Sequence, residues 1–457
     1  MKVLWLCNVA LPEIAHQLNM EASNKEGWLS GIAHAVLQNA GQNQVEIAIA
    51  FPAPRELCDE TGTCNAVVKI CDVPVQCYGF YEDIGKAEQY DISLEQEMEK
   101  IFKMAEADIL HCFGTEYPHT LAACKVFPDR DKILVGLQGL CSLLAEAYFA
   151  NLPESVIRSK TFRDILRQDS LLQQQEKFRK RGQNEQKIVA LAGNITGRTL
   201  WDRTESAKWN PSARYFRMNE NLRKEFYGPV WSKDKCIPHS IFLSQGDYPL
   251  KGLHYMLLAL PGILEKYPDA KVYVAGNSLV AYETWKDKLK ISAYGKYLRR
   301  LISKYHLEDK VVHLGRLNAV EMRDRYLQSH LFVCCSSLEN SPNSLGEAMI
   351  LGLPCVAANV GGIPSLFEGG KDGIAYPGFG SDINNGCDFK ITNDTELKNI
   401  AKRLENAVVE MWSDEAKMLE YCKNARNHAR KTHDNGENFA KMMEIYAKIQ
   451  NGEAGDS

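Results

Sequence analysis

No stretch of this 457-residue sequence stays apolar long enough to cross a bilayer as a helix. The longest runs, Tyr255 to Leu264 and Ala348 to Val360, are short or broken by Gly and Pro. Basic excess is also missing. The formal net charge of −4 argues against a general nucleic-acid binder, and no nucleic-acid partner is expected. The 14 cysteines include no C-x-x-C pair, although Cys58, Cys64, Cys71 and Cys77 could be imagined as metal ligands. Cys7, Cys112, Cys334, Cys335 and Cys355 lie inside apolar segments, where a thiol behaves as a small hydrophobe. Free thiols in a reducing cytoplasm are therefore expected. No signal peptide is expected, because Met1-Lys2 runs straight into the strand-like Val3-Leu4-Trp5-Leu6-Cys7.

What is present is ordinary globular composition, 45% apolar and 25% charged, in a chain long enough for two or three domains. Continuous apolar runs at 2–7, 45–51, 107–114 and 132–137 fit strands covered on both faces. Helical patterns lie between them, at about 27–40, 92–106 and 142–150. The rhythm restarts near 239, with strands predicted around 239–246, 271–276, 310–315, 331–335 and 354–359. Alternation of this kind predicts an α/β fold with two parallel sheets, joined near 228–238. From about 395 the pattern is helical, and a last helix over 437–449 is expected to pack back onto the first half.

The most informative stretch is "SSLENSPNSLGEAMILGLPCVAANVGGIP", residues 336–364. Glu339 and Glu347 sit eight positions apart around a polar segment, Asn340-Ser341-Pro342-Asn343-Ser344. If 331–335 is a strand and Ser344 opens a helix, this loop lies at a strand's carboxyl end, where open α/β sheets bind ligands. Backbone N–H groups of Asn343 and Ser344 would then face a phosphate. Glu347 would fall in the first turn, where a carboxylate also stabilises its own helix. Glu339 alone could equally be a solvated loop acid.

The segment strongly resembles the retaining, GT-B-fold glycosyltransferases of family 4. Glu339, Glu347-Ala348-Met349, Gly352-Leu353-Pro354 and Gly361-Gly362-Ile363-Pro364 match the family signature in order and spacing. The resemblance implies two Rossmann-like doubly wound domains with a cleft between them and C-terminal helices crossing back to the first. It places an acceptor domain over 1–235 plus a helix at about 436–451, and a nucleotide-sugar domain over 236–435. It implies Glu339 at the donor sugar, Glu347 on the nucleotide ribose, and donor contacts from Asn340, Ser341, Asn343 and Ser344. Pro342 has no N–H to offer.

"FLSQGDYPLKGLHYM" (242–256) resembles the opening of the family's second domain, so Lys251, before Gly252, would clamp the diphosphate. The family usually carries Gly-Arg where this chain has Gln245-Gly246, so one phosphate cation is missing; Arg198 or Arg316 are candidates to replace it. In "NKEGWLSGIAHAV" (24–36), Gly27 would let backbone approach the donor phosphates, although a turn alone would also explain it. "DILHCFGTEYPHT" (108–120) offers His111, Glu116 and His119 as acceptor-side groups, His111 being equally a packed strand residue. Gln138, Arg198 and Trp201 complete that set; a structural Arg–Asp pair beside a core Trp is the alternative for "GNITGRTLWDRT" (193–204).

The resemblance implies metal-independent transfer of a hexose from a UDP- or GDP-type donor to a glycan or lipid-linked acceptor in cell-surface polysaccharide biosynthesis. No cofactor is expected, and no cluster demands a divalent ion. Residues 158–181 hold eight basic side chains against three acids, with interleaved apolar residues. A peripheral contact with anionic membrane on the cytoplasmic face is one reading, and a solvated helix is the other. A non-catalytic subunit that binds a glycan or a glycosyltransferase is the competing function.

Overall fold

The computed structural model describes residues 1–21, 27–39, 45–280, 284, 289–380 and 394–456. The chain divides into two compact units. The first comprises Met1–Leu143, Lys177–Arg223 and His433–Ser457. The second comprises Leu144–Glu176 and Lys224–Thr432.

The first unit is built on eight strands: β1 (Lys2–Cys7), β2 (Glu46–Ala53), β3 (Thr63–Ile70), β4 (Val73–Tyr81), β5 (Ile109–Phe113), β6 (Ile133–Gly136), β7 (Asn194–Gly197) and β8 (Arg214–Arg217). Their order is β3-β4-β2-β1-β5-β6-β7-β8. All neighbours pair parallel except the β3–β4 hairpin. The β1, β2, β5 and β6 runs are almost wholly buried, which is why they read as unbroken apolar stretches. The helix Asn435–Asn451 places Met442, Ile445, Tyr446 and Ile449 in the same core as Trp5 and Phe113.

That helix is also fixed by polarity. Trp5 Nε1–H donates to the Tyr446 hydroxyl oxygen at 2.9 Å, and His111 Nδ1 lies 2.7 Å from the same oxygen. The tryptophan nitrogen can only donate, so the Tyr446 oxygen accepts from it and shares its second hydrogen bond with His111 Nδ1. Burial pushes the His111 pKa down to about 3, which keeps the ring neutral. Tyr446→Phe strands two buried partners and is expected to cost about 1–3 kcal/mol. A lower denaturant midpoint at unchanged slope would register it.

The second unit carries β9 (Ser240–Leu243), β10 (Lys271–Ala275), β11 (Val311–Gly315), β12 (Leu331–Cys334), β13 (Cys355–Asn359) and β14 (Ile374–Pro377). The sheet runs β11-β10-β9-β12-β13-β14, with every pair parallel. Counted from β9, this is the Rossmann order 3-2-1-4-5-6, whose direction reverses between β9 and β12.

One boundary differs from expectation. Leu144–Glu176 packs with the second unit rather than inside a domain spanning 1–235, and the later boundary falls after Arg223. The Ala150 carbonyl accepts from His254 Nε2 (2.8 Å) and the Tyr255 hydroxyl (2.9 Å), and Asp164 Oδ2 accepts from the Ala293 N–H (2.9 Å). These ties run through a backbone carbonyl and a single aspartate, neither of which has a signature in the sequence.

Candidate functional site

The β9–β12 reversal brings two loops together at the carboxyl ends of the strands. The loop after β9 ends in a short turn, Pro249–Lys251, followed by Gly252 at φ +72°. A Cβ at Gly252 would overlap the Cys335 carbonyl oxygen just beyond β12, so only glycine permits this approach. The Ser337 N–H donates to the Leu250 carbonyl at 2.8 Å, and Cys335 Sγ–H to that of Gly252 at 3.3 Å. The Lys-Gly pair is thereby pinned against the Glu339 loop.

Lys251 Nζ and Glu339 Oε1 stand 2.6 Å apart, and Ser336 Oγ donates to the same carboxylate oxygen at 2.7 Å. Burial opposes the Lys251 charge, but Glu339 and the Tyr248 side chain outweigh it and hold the ammonium pKa above its usual value. The Glu339 backbone is clasped from the other side. The Gly362 N–H donates to its carbonyl at 2.9 Å, and Gly361, at φ +52°, passes so close that a Cβ would overlap that oxygen. The Gly-Gly pair thus positions the acid. Gly361→Ala is expected to cost more than about 1 kcal/mol, read as a lowered midpoint in denaturant.

The helix Asn343–Leu351 starts one residue earlier than predicted. Pro342, at φ −69°, takes the cap position, and its carbonyl accepts from the Leu345 N–H at 3.0 Å. Glu347 therefore lies beyond the first turn, which contains no acid, and the helix-dipole explanation for it lapses. It is 4% exposed, with Oε2 3.4 Å from the Tyr326 hydroxyl, which itself lies 2.9 Å from the Ser344 carbonyl. Asn340 and Ser341 are buried, while Asn343 and Ser344 are half-buried at the helix start, where N–H groups have no carbonyl a turn behind them.

Gly246 is buried against Val274 and Leu253, and Gln245 is half-buried beside it. Arg316 is exposed beyond β11 and donates from Nε to Asn277 Oδ1 at 2.9 Å; Asn277 Nδ2 donates to Asp247 Oδ2 at 3.2 Å. A polar chain thus runs from Arg316 to the residue following Gly246.

In the first unit the predicted residues separate into groups. His119, fully buried, has Nδ1 2.6 Å from Glu82 Oε2 and Nε2 3.2 Å from Asn8 Oδ1, at the β1–β5 reversal of that sheet. Glu116 accepts from the Gly139 N–H at 3.1 Å. His111 is a packed strand residue, as its alternative had it, and Trp201 packs at the core edge. Gln138 and Arg198 come together through Glu220, an acid that sequence reasoning missed. Gln138 Nε2 donates to Glu220 Oε1 at 2.6 Å, and Arg198 Nη1 to Oε2 at 2.5 Å. Near Trp201 the Arg198 backbone N–H donates to Asp202 Oδ2 at 2.9 Å. Asp202 also caps the helix Leu200–Trp209 with Thr199 and accepts from the Tyr215 hydroxyl at 2.6 Å. Gly27 opens the helix Gly27–Gln38, where a Cβ would crowd the Arg223 side chain; residues 24–26 of its motif lie outside the described residues. Among the described residues no group of three metal-ligating side chains occurs, and all 13 described cysteines are free.

Residues 238–410 match the family model of glycosyl transferases group 1. The match takes in the whole second sheet and both loops of the β9–β12 site. Spore coat protein SA of Bacillus subtilis is 31% identical over 131 residues, 28% of this chain and 33% of that protein. The chain spans about a third of the length of the curated relatives it matches. Solved structures align over nearly everything: sucrose-phosphate synthase from Thermosynechococcus elongatus has a TM-score of 0.65 at 14% identity, covering 99% of this chain and 100% of that one. HepE from Anabaena, solved in complex with UDP-glucose, has a TM-score of 0.59 at 16% identity, covering 98% and 100%. The fold is GT-B, with two Rossmann-like α/β units and a C-terminal helix in the first.

Proposed function

We propose that the chain is a retaining, metal-independent glycosyltransferase of the group 1 kind. It moves a hexose from a nucleotide sugar to a hydroxyl of a glycan or lipid-linked oligosaccharide, on the cytoplasmic side, in cell-surface polysaccharide biosynthesis. The observation that carries the reading is the Lys251–Glu339 pair at the Rossmann reversal point, beside the start of the helix that bears Glu347.

In this reading Glu347 accepts from the ribose hydroxyls and Glu339 from the sugar. Lys251 and the first amides of Asn343–Leu351 face the diphosphate. As the anomeric C–O bond to the β-phosphate breaks, negative charge grows on the leaving oxygen, where a fixed ammonium and helix-start dipoles are worth most. The acceptor oxygen bonds to the anomeric carbon on the same face, and its proton passes to the departing phosphate. Arg316, through Asn277, is the candidate for the absent loop arginine. Gln138, Arg198 and Glu220, with Glu116 and His119, form the acceptor-side candidates.

The UDP-glucose held by HepE makes a uridine donor the first to try. Incubation with UDP-, GDP- and ADP-sugars is expected to release nucleoside diphosphate from one of them, with release abolished in Glu339→Ala. Release that persists in that variant, or tight glycan binding with no turnover of any donor, would overturn the reading in favour of a binding subunit.

A further inference from the structure

The helix Phe162–Arg167 is amphipathic the wrong way round. Its one buried side chain is Asp164, 1% exposed, whereas Phe162, Ile165 and Leu166 are 60, 63 and 68% exposed. Their spacing of three and four residues puts the apolar trio on one face. Asp164 enforces this orientation. Its Oδ2 accepts from the N–H groups of Thr161 (3.0 Å) and Ala293 (2.9 Å), the latter at the start of the helix Ala293–Lys304. Thr161 Oγ1 in turn accepts from the Asp164 N–H at 3.2 Å, and Arg163 bridges Asp164 and Asp169. A turn needed only for stability would bury the apolar trio and leave the aspartate in water. Here a carboxylate, with all its desolvation cost, holds three large apolar side chains outward.

The surroundings indicate what covers them. Arg158, Lys160 and Arg167 are exposed and lie within four residues of the trio. Asp164 and Asp169 are consumed by Arg163 and the backbone, and the neighbouring exposed acid, Glu154, is shared with Arg158. A positive apolar face on a chain of net charge −4 is complementary to an anionic surface. A second copy docked symmetrically through it would bring the three cations against their own images.

We propose that Phe162, Ile165 and Leu166 enter the headgroup boundary of an anionic phospholipid bilayer while Arg158, Lys160 and Arg167 pair with lipid phosphates. The proposal stands on this face alone and does not require the transferase reading. It is tested with the full chain and vesicles of phosphatidylcholine, with or without phosphatidylglycerol. Co-sedimentation is expected only with the mixed vesicles and is expected to weaken with salt. The triple variant Phe162→Ser/Ile165→Ser/Leu166→Ser, whose sites are exposed, is expected to keep the wild-type Tm and to lose at least about tenfold in partition coefficient. Each of Arg158→Gln, Lys160→Gln and Arg167→Gln is expected to lose about fivefold at low salt. Absence of wild-type binding, or equal binding by the triple variant, would overturn the proposal. A molar mass by light scattering that falls in the triple variant would also overturn it, assigning the face to a second copy.

Discussion

Lys251→Ala is expected to lower kcat/KM for donor turnover by about 10²- to 10³-fold, the usual loss when one preorganised charge at a developing anion is removed. Glu339→Ala is expected to fall in the same range. The two side chains are one unit, 2.6 Å apart and backed by Ser336, so the double variant is expected to lose little more than either single one. Lys251→Ala leaves Glu339 with the Ser336 hydroxyl at 2.7 Å, and both members of the ion pair retain some exposure, at 20% and 14%. The stability loss is therefore expected to be modest beside the kinetic one. Steady-state nucleotide release by the three variants, each first checked for wild-type thermal unfolding, measures this. Additive losses in the double variant would mean that the two residues act separately.

The second large effect is a pH dependence of opposite sign in the two units. In the second unit, burial pushes His254 and His330 down to about 4 and also lowers His313. The unfolded chain protonates histidine near 6.5, whereas the folded rings stay neutral, so stability is lost as pH falls from about 6.5 toward 4. The three histidines add to one slope of the same sign. In the first unit His111, lowered to about 3, acts in the same direction. Glu97 and Glu185, however, are raised to about 7 by burial, against the hydrogen bonds that Glu185 accepts from Cys141, Ser142 and Thr115. The unfolded chain ionises these acids first, near 4.3, so their contribution is full below that pH and is lost as pH rises through 7. Two acids against one histidine give the first unit a net gain in stability on acidification between about pH 6.5 and 4.5. Calorimetry at pH 7 and pH 5 is expected to show one transition falling while the other does not. His254→Gln is expected to shallow the falling one alone, and parallel movement of both transitions would contradict the assignment.

The legible parts of this molecule are those where one physical demand fills a whole stretch. Strands β1, β2, β5, β6 and most of the second sheet are covered on both faces and so read as apolar runs. The β3–β4 hairpin escaped because β3 is half solvated and its turn is Cys71-Asp72, both at positive φ, with no Asn-Gly or Asp-Gly to announce it. β8 escaped because it is four residues long with an arginine at each end. In the site, Glu339, Lys251 and the glycine turns could be read together because close backbone approach imposes fixed offsets along the chain. Glu220 could not be read, since its partners Gln138 and Arg198 are joined to it only by folding. The inverted helix was visible as basic and apolar residues; which face is out depends on Asp164 reaching Ala293.

The central claim is that the β9–β12 reversal in the second unit grips a nucleoside diphosphate. Thermal unfolding of wild type and Lys251→Ala with UDP, GDP or ADP tests it most directly, because a ligand bound only by the folded state raises Tm by mass action. One nucleotide is expected to raise the wild-type Tm in proportion to the logarithm of its concentration, with most of that rise lost in the variant. An equal rise in both proteins, or none with any nucleotide, would contradict it.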